Sequence, residues 1–121
     1  MKPARFLERP VQRAAIRTVA MLGCYAVHVP NGSHLAGDKI ARAKQIAALK
    51  ADGMSPGFPD LIIIDQRAPR VGVVECKREG VDELDPDQVT WRNECVRIGV
   101  PWALLNTIEG PIEILRAWGW R

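Results

Sequence analysis

The chain has 121 residues, a formal net charge of +3, and hydrophobic and charged fractions of 47% and 26%. These values fit one soluble domain spanning 1–121. They exclude a membrane protein, because no apolar run approaches the roughly eighteen residues of a membrane span, and the N-terminus lacks a signal-peptide core. The three cysteines have no metal-type spacing, which favours free thiols in a reducing cytosol. We therefore expect a cytoplasmic location.

Charge is distributed unevenly along the chain. Residues 1–59 carry nine Lys and Arg against three Asp and Glu, whereas residues 60–121 carry eight against eleven. A basic half beside an acidic cluster fits a polyanionic substrate brought to a metal-binding pocket. The alternative is that the basic helices are ordinary solvated faces, and composition alone leaves both interpretations open.

The first predicted element is a helix from Glu8 to Leu22, ended by Gly23. Arginines recur every four residues along one side of it: Arg5, Arg9, Arg13 and Arg17. Like charges at this spacing destabilise an isolated helix, so an anionic partner is plausible, although solvation also accounts for them. Taken alone, Glu8 at the helix start is most simply a favourable partner of the helix dipole.

A short strand and a basic helix are predicted next. Alternation over residues 25–29 indicates a strand, followed by a turn that contains His34. A second helix is predicted from Asp38 to Asp52, with four apolar residues turned toward the core: Ile40, Ala43, Ala47 and Leu49. His28 and His34 lack zinc spacing and are interpreted as strand-face or rim residues, with His34 a candidate phosphate contact.

Two short β-branched runs, Leu61–Ile64 and Val71–Val74, predict a buried hairpin. Glu75 and Lys77 are two positions apart on the second strand, so they share one face at about 7 Å along the chain. The hairpin places Asp60, at the start of the first strand, beside Glu75. Two carboxylates and a lysine on one side of a strand pair predict a divalent-cation site, because Mg²⁺ needs only one or two protein carboxylates.

The remaining chain predicts a helix from Pro86 to about Ile98, a strand over residues 101–106 and a helix over residues 109–118. Gln88 lies in the first turn of the former helix and is expected to point back toward Lys77. The four tryptophans are expected to pack against the sheet or across a dimer interface: Trp91, Trp102, Trp118 and Trp120. The last two are candidates for an oligomer contact.

Pro59-Asp60, fourteen intervening residues and Glu75-Cys76-Lys77 resemble the core motif of PD-(D/E)xK nucleases. With the Gly57–Leu61 turn before it and Gln88 after it, the chain from about Glu8 to Thr107 resembles a VRR-NUC domain. This resemblance implies an α/β, restriction-endonuclease-like fold. Its centre would be a mixed sheet of about four strands, with the first and third helices packed against it.

The resemblance also implies a metal-dependent endodeoxyribonuclease that uses Mg²⁺ or Mn²⁺. It assigns four metal ligands: Asp60, Glu75, the backbone carbonyl of Cys76, and Glu8. Lys77 would orient water or stabilise developing negative charge, and Gln88 would border the site. We expect contacts to the DNA backbone from seven side chains: Arg9, Arg13, Arg17, Lys39, Arg42, Lys44 and His34.

Resemblance further implies a homodimer acting on branched DNA such as four-way (Holliday) junctions, since cutting both strands of a duplex needs two active sites. A compact nuclease of this pattern suits a phage or prophage genome. Two alternatives remain: a catalytically silent nucleic-acid-binding module, or a nuclease subunit active only in a larger assembly. Joint retention of the candidate catalytic residues argues against the silent module.

Overall fold

A computed structural model describes residues 6–30 and 35–121. Within these ranges the chain forms four helices and four strands: α1 (Glu8–Met21), β1 (Cys24–His28), α2 (Lys39–Ala51), β2 (Leu61–Asp65), β3 (Val71–Cys76), α3 (Pro86–Ile98), β4 (Trp102–Leu105) and α4 (Gly110–Ala117). His34, the expected phosphate contact, lies outside the described residues. None of the described helices is long and apolar enough to cross a membrane.

The strands form one mixed sheet in the order β1-β2-β3-β4. Strand β2 pairs antiparallel with both β1 and β3, and β4 runs parallel to β3 after the α3 crossover. Leu61 pairs with Val74, so Asp60 and Glu75 lie at the same end of the β2–β3 hairpin. The predicted α/β architecture with a four-stranded mixed sheet is confirmed.

The core fills the space between one face of the sheet and helices α1 and α4. Its most deeply buried apolar side chains come from the sheet and from both of these helices: Val11, Ala15, Leu61, Ile63, Leu105 and Leu115. Trp120 also lies in this core, 5% exposed and 4.8 Å from the Trp118 ring. The expectation that Trp120 forms an oligomer contact is therefore wrong, because its indole closes the core of its own chain.

Helix α3 lies on the opposite face of the sheet, where Glu75 points toward it. Among the described strands, this helix packs mainly against β4. On the uncovered side, Tyr25, Ile64 and Val71 form a row straight across three strands. Their exposed fractions are 59%, 36% and 49%, so the described structure leaves an apolar strip on this face.

Helix α2 contradicts the expectation that its apolar residues face the core. Ile40 is 69% exposed, Ala43 and Ala47 are exposed, and Leu49 is only half-buried. Within the described ranges, α2 makes no extensive contact with another helix or strand. Its alanines and lysines are strong helix formers, and Asp38 caps it by accepting a hydrogen bond from the Ala41 backbone N–H at 2.8 Å. Local propensity and capping thus form this helix with little burial of its side chains.

A buried charge cluster around Asp65 holds Arg121 against the sheet. Asp65 is 5% exposed and accepts hydrogen bonds from Arg70 at 2.6 Å and Arg121 at 3.1 Å. Arg121 also donates to the Leu22 carbonyl at 2.7 Å. The Arg121 hydrogen bond, a backbone N–H from Arg67 and the Arg70 guanidinium together hold the pKa of Asp65 well below its usual range. The cluster joins β2, the end of α1 and Arg121.

Candidate active site

Asp60 and Glu75 form the centre of the site because the hairpin register puts the start of β2 beside the end of β3. Asp60 Oδ2 accepts a hydrogen bond from the Cys76 backbone N–H at 2.8 Å. This bond ties the Asp60 carboxylate to the strand that carries Glu75. The predicted juxtaposition of the two acids is therefore present.

Glu75 is the electrostatically unusual member of the pair. It is 3% exposed, and its Oε1 accepts a hydrogen bond from Gln88 Nε2 at 3.0 Å. Its Oε2 is buried with no hydrogen-bond partner in the described structure. Burial, then a side-chain hydrogen bond to Asp60 that the protonated form can make, and then the Asp60 charge raise the pKa of Glu75 well above its ordinary value, while Lys77 opposes the shift.

The unpartnered Oε2 of Glu75 indicates what kind of ligand the site suits. An unpartnered buried carboxylate oxygen is destabilising, and a hard cation such as Mg²⁺ or Mn²⁺ is the type of ligand that satisfies one. Within residues 6–30 and 35–121, no group of three or more His, Cys, Asp or Glu side chains is placed to hold an ion. The donor set thus fits an ion held by two carboxylates and completed by other oxygens, the usual arrangement for Mg²⁺.

Gln88 connects the acidic and basic parts of the site. Its Oε1 accepts from Lys77 Nζ at 2.9 Å and from the Asp85 backbone N–H at 2.9 Å, while its Nε2 donates to Glu75. The two donors facing Oε1 fix the orientation of the amide. The first turn of α3 therefore holds Lys77 and Glu75 in one network, and the predicted position of Gln88 is confirmed.

Glu8 approaches this network from the first residue of α1. Burial, and then the Asp60 charge, raise the pKa of the Glu8 carboxyl, while Lys77 lowers it. The segment before α1 is held by Glu79: the Phe6 N–H donates to Glu79 Oε2 at 2.8 Å, and the Glu79 N–H donates to the Phe6 carbonyl at 2.8 Å. The effect of Asp60 and Lys77 on the pKa of Glu8 shows that its carboxyl lies within electrostatic range of both.

Cys76 contributes through its backbone. Its side chain is 1% exposed and belongs to the core, and burial and then the Asp60 and Glu75 charges raise the pKa of its thiol. A thiol with a raised pKa is a poor nucleophile and metal ligand. Only its main-chain groups face the chemistry, with the N–H already bound to Asp60.

Sequence reasoning missed His28 and Gln12 as neighbours of the site. His28 Nδ1 lies 3.2 Å from the Asp60 carbonyl oxygen and 3.1 Å from Gln12 Nε2. The strand pairing is what brings His28 to the site. Because β1 pairs antiparallel with β2, His28 at the end of β1 lies opposite Leu61 and next to Asp60. These two side chains support the backbone of Asp60 from the α1 side.

The candidate DNA contacts fall into two groups. Arg9, Arg13 and Arg17 are exposed and line one open groove of about 420 Å³ along α1. Lys39, Arg42 and Lys44 are exposed on α2, which makes no extensive contact with another described element. The structure thus gathers the α1 arginines into one surface and leaves the basic residues of α2 on a separate helix.

Comparison with known proteins agrees with the geometry. A family model described as the VRR-NUC domain matches residues 8–107. No curated protein and no solved structure gave a match. The matched span includes Glu8, Asp60, Glu75, Lys77 and Gln88 and covers most of the chain. This chain therefore belongs to the VRR-NUC domain family of PD-(D/E)xK-like nucleases.

Proposed function

We propose that this protein is a metal-dependent endonuclease that hydrolyses phosphodiester bonds in DNA. The observation that carries the proposal is the buried Glu75 carboxylate beside Asp60. Its Oε2 has no hydrogen-bond partner in the described structure, and its Oε1 is connected to Lys77 through Gln88. Family membership supports nuclease chemistry and DNA binding. The geometry supplies the reason for a metal.

In this proposal Asp60 and Glu75 are the primary ligands of Mg²⁺ or Mn²⁺, with the Cys76 carbonyl as a further donor. Glu8 would have to move closer to complete the set, because the described structure places no three such side chains around one ion. The ion, when bound, would lower the pKa of a coordinated water and neutralise charge on the scissile phosphate. Gln88 keeps Glu75 oriented by donating to Oε1. The Cys76 N–H keeps Asp60 oriented in the same way.

Lys77 is assigned to stabilise negative charge on the reacting phosphate and to position water. Its Nζ is a mobile point charge on a flexible stem, held at 2.9 Å by Gln88 Oε1. Because Gln88 holds the ammonium in place beside the acidic pair, it could stabilise a developing anion as a preplaced donor. Removal of one such donor typically costs about 10²- to 10³-fold in turnover.

The substrate in this proposal is branched DNA, with the four-way junction as the first candidate, and the active form is a homodimer. Support for dimerisation comes from the exposed row of Tyr25, Ile64 and Val71 on the uncovered face of the sheet. Burying this strip against a second copy would remove apolar surface from water. Two copies would provide two active sites for two strands.

The test is cleavage of a labelled four-way junction, a flap and a plain duplex by purified protein, with Mg²⁺, Mn²⁺ or EDTA. Paired symmetric cuts in the junction, absent with EDTA and in Asp60→Asn and Lys77→Ala, would support the full proposal. Cutting only flaps or ends would retain the nuclease and reject the junction. Tight binding without cutting under either metal would leave a silent binding module.

Dimerisation has its own measurement, because cleavage does not report it. Sedimentation of the wild type is expected to give a dimer, and Ile64→Asp is expected to give a monomer. The matched control is Ile112→Asp, because Ile112 is 41% exposed on α4 and lies outside the strip. A monomeric wild type would reject the homodimer, and dissociation by both variants alike would reject the strip as its interface.

A further inference from the structure

An open groove of about 420 Å³ runs along the exposed side of α1. Arg9, Arg13 and Arg17 form its charged wall, and Phe6 and Ile108 contribute apolar surface. Four residues of helix advance about 6 Å, so the three arginines leave the helix at regular steps along the groove. The groove therefore combines a row of positive charges with apolar surface.

The arginines lack an internal explanation. Within the described ranges, none of the three forms an ion pair. Like charges spaced four residues apart on a helix repel each other. A ligand with negative charges at regular intervals would relieve this repulsion, and a nucleic-acid strand has that chemistry.

Phe6 lies at the end of the groove nearest the active site. It is two residues before Glu8, and its N–H and carbonyl are both hydrogen-bonded to Glu79, two residues beyond Lys77. Its side chain is nevertheless 50% exposed. The backbone is fixed while the aromatic ring faces solvent, which is the arrangement required of a stacking platform for a base.

We propose that this groove binds an unpaired DNA strand next to the active site, with one base stacked on Phe6 and the phosphates on the three arginines. A fully paired duplex offers no free base face, so the groove would select branched DNA whose bases are unpaired beside the cut, as in a flap or in a four-way junction opened at its centre. This inference rests on the proposed nuclease function for the position of the cut. The binding itself is measured separately.

The first arm of the experiment measures fluorescence anisotropy of a labelled oligothymidine and of a hairpin duplex of equal charge, in EDTA. Phe6→Ala is expected to weaken single-strand binding by about 5- to 150-fold, the range for loss of one base–aromatic stack. Phe6→Tyr keeps an aromatic ring and should bind the single strand like the wild type. Leu7→Ala is the control, because Leu7 is 65% exposed but lies outside the groove.

The second arm measures the salt dependence of the same binding. Each of Arg9→Ala, Arg13→Ala and Arg17→Ala should reduce the slope of log K against log salt by about 0.7, the value for one phosphate contact on a single strand. Arg116→Ala is the matched control, since Arg116 is exposed on α4 outside the groove. Unchanged slopes, or equal losses in the control, would overturn the inference.

Two further outcomes would also overturn it. Equal loss of duplex and single-strand affinity in Phe6→Ala would mean that no base is stacked. Competition by a polyglutamate peptide as effective as that by oligothymidine would identify an acidic-peptide site instead. Each variant is first checked for an unchanged Tm, and if Phe6→Ala folds poorly, the salt slopes of the three arginine variants decide the outcome.

Failure of this inference is distinguishable from failure of the proposed function. If the wild type cuts DNA with Mg²⁺ while the groove variants bind single strands normally, the groove is rejected and the nuclease stands. If the groove variants lose binding while the wild type cuts nothing with Mg²⁺ or Mn²⁺, the groove stands and the catalytic proposal is rejected.

Discussion

At Glu75, two requirements conflict. The side chain is buried with one unpartnered oxygen and a second acid beside it, so the folded protein favours its neutral form. Metal binding requires the ionised form. The stability contributed by the protonated carboxyl is complete below its unfolded pKa, near 4.5, and is lost as the pH rises through the higher folded value.

This balance predicts the effect of pH on thermal stability. In EDTA, Tm should fall as the pH rises from about 5 to 9, and Mg²⁺ should raise Tm more at the upper end, because the ligands are then ionised. Glu75→Gln should remove most of both effects. Scanning fluorimetry across pH, with and without Mg²⁺, measures them, and an unchanged pH profile in Glu75→Gln would contradict the assignment.

Gln88 is predicted to be a positioning residue for Lys77 and Glu75. Gln88→Ala removes hydrogen bonds to both groups, so cleavage should fall by about 10- to 100-fold, the usual effect of losing a supporting contact to a metal ligand. Gln66→Ala is the control, because Gln66 is exposed outside the network. A loss of Tm without a change in kcat would indicate a purely structural role.

At the scale of the elements, α2 and β2 differ in what holds them. Ile63 is 2% exposed in the core, whereas Ile40 on α2 is 69% exposed. Ile63→Ala should therefore lower the free energy of unfolding by about 2–5 kcal/mol, and Ile40→Ala by less than about 0.5 kcal/mol. Urea denaturation of the two variants measures these changes in the free energy of unfolding. Similar decreases for Ile63→Ala and Ile40→Ala would mean that α2 packs in the core, contrary to this prediction.

The same contrast explains what the sequence could predict. The hairpin was predictable because short β-branched runs between turn residues allow few pairings, and that register alone places Asp60 beside Glu75. The position of α2 was not, because Ile40, Ala43 and Ala47 recur at helical spacing without packing. His28 was missed because the order of strands, rather than its neighbours in sequence, brings it to Asp60.

At the scale of the whole molecule, Asp65 links distant parts of the chain. Its hydrogen bonds to Arg70 and Arg121 join the hairpin to the segment after α4, and Arg121 reaches the end of α1. The depressed pKa of Asp65 means that its stabilisation is present above the unfolded pKa, 3.8, and lost as the pH falls through the lower folded value.

Asp65→Asn is predicted to lower Tm by several degrees at neutral pH, because two guanidinium groups lose their anionic partner. The difference from the wild type should shrink in strongly acidic buffer. Glu94→Gln is the control, since the Glu94–Arg97 pair is exposed at the surface, where ion pairs contribute little. An equal effect of the two substitutions would contradict a structural role for the Asp65 cluster.

The most direct test of the central claim is calorimetric titration of the protein with Mn²⁺, without DNA. The wild type should bind the ion and release protons, because Glu75 must ionise to bind it. Loss of a contact that supports a metal ligand typically weakens metal binding by about 10- to 100-fold. Glu75→Gln and Asp60→Asn remove a ligand itself, so each should weaken Mn²⁺ binding at least that much. Gln66→Ala, the control, should bind Mn²⁺ normally. Wild-type affinity in Glu75→Gln would contradict the assignment of this buried carboxylate pair as the metal site.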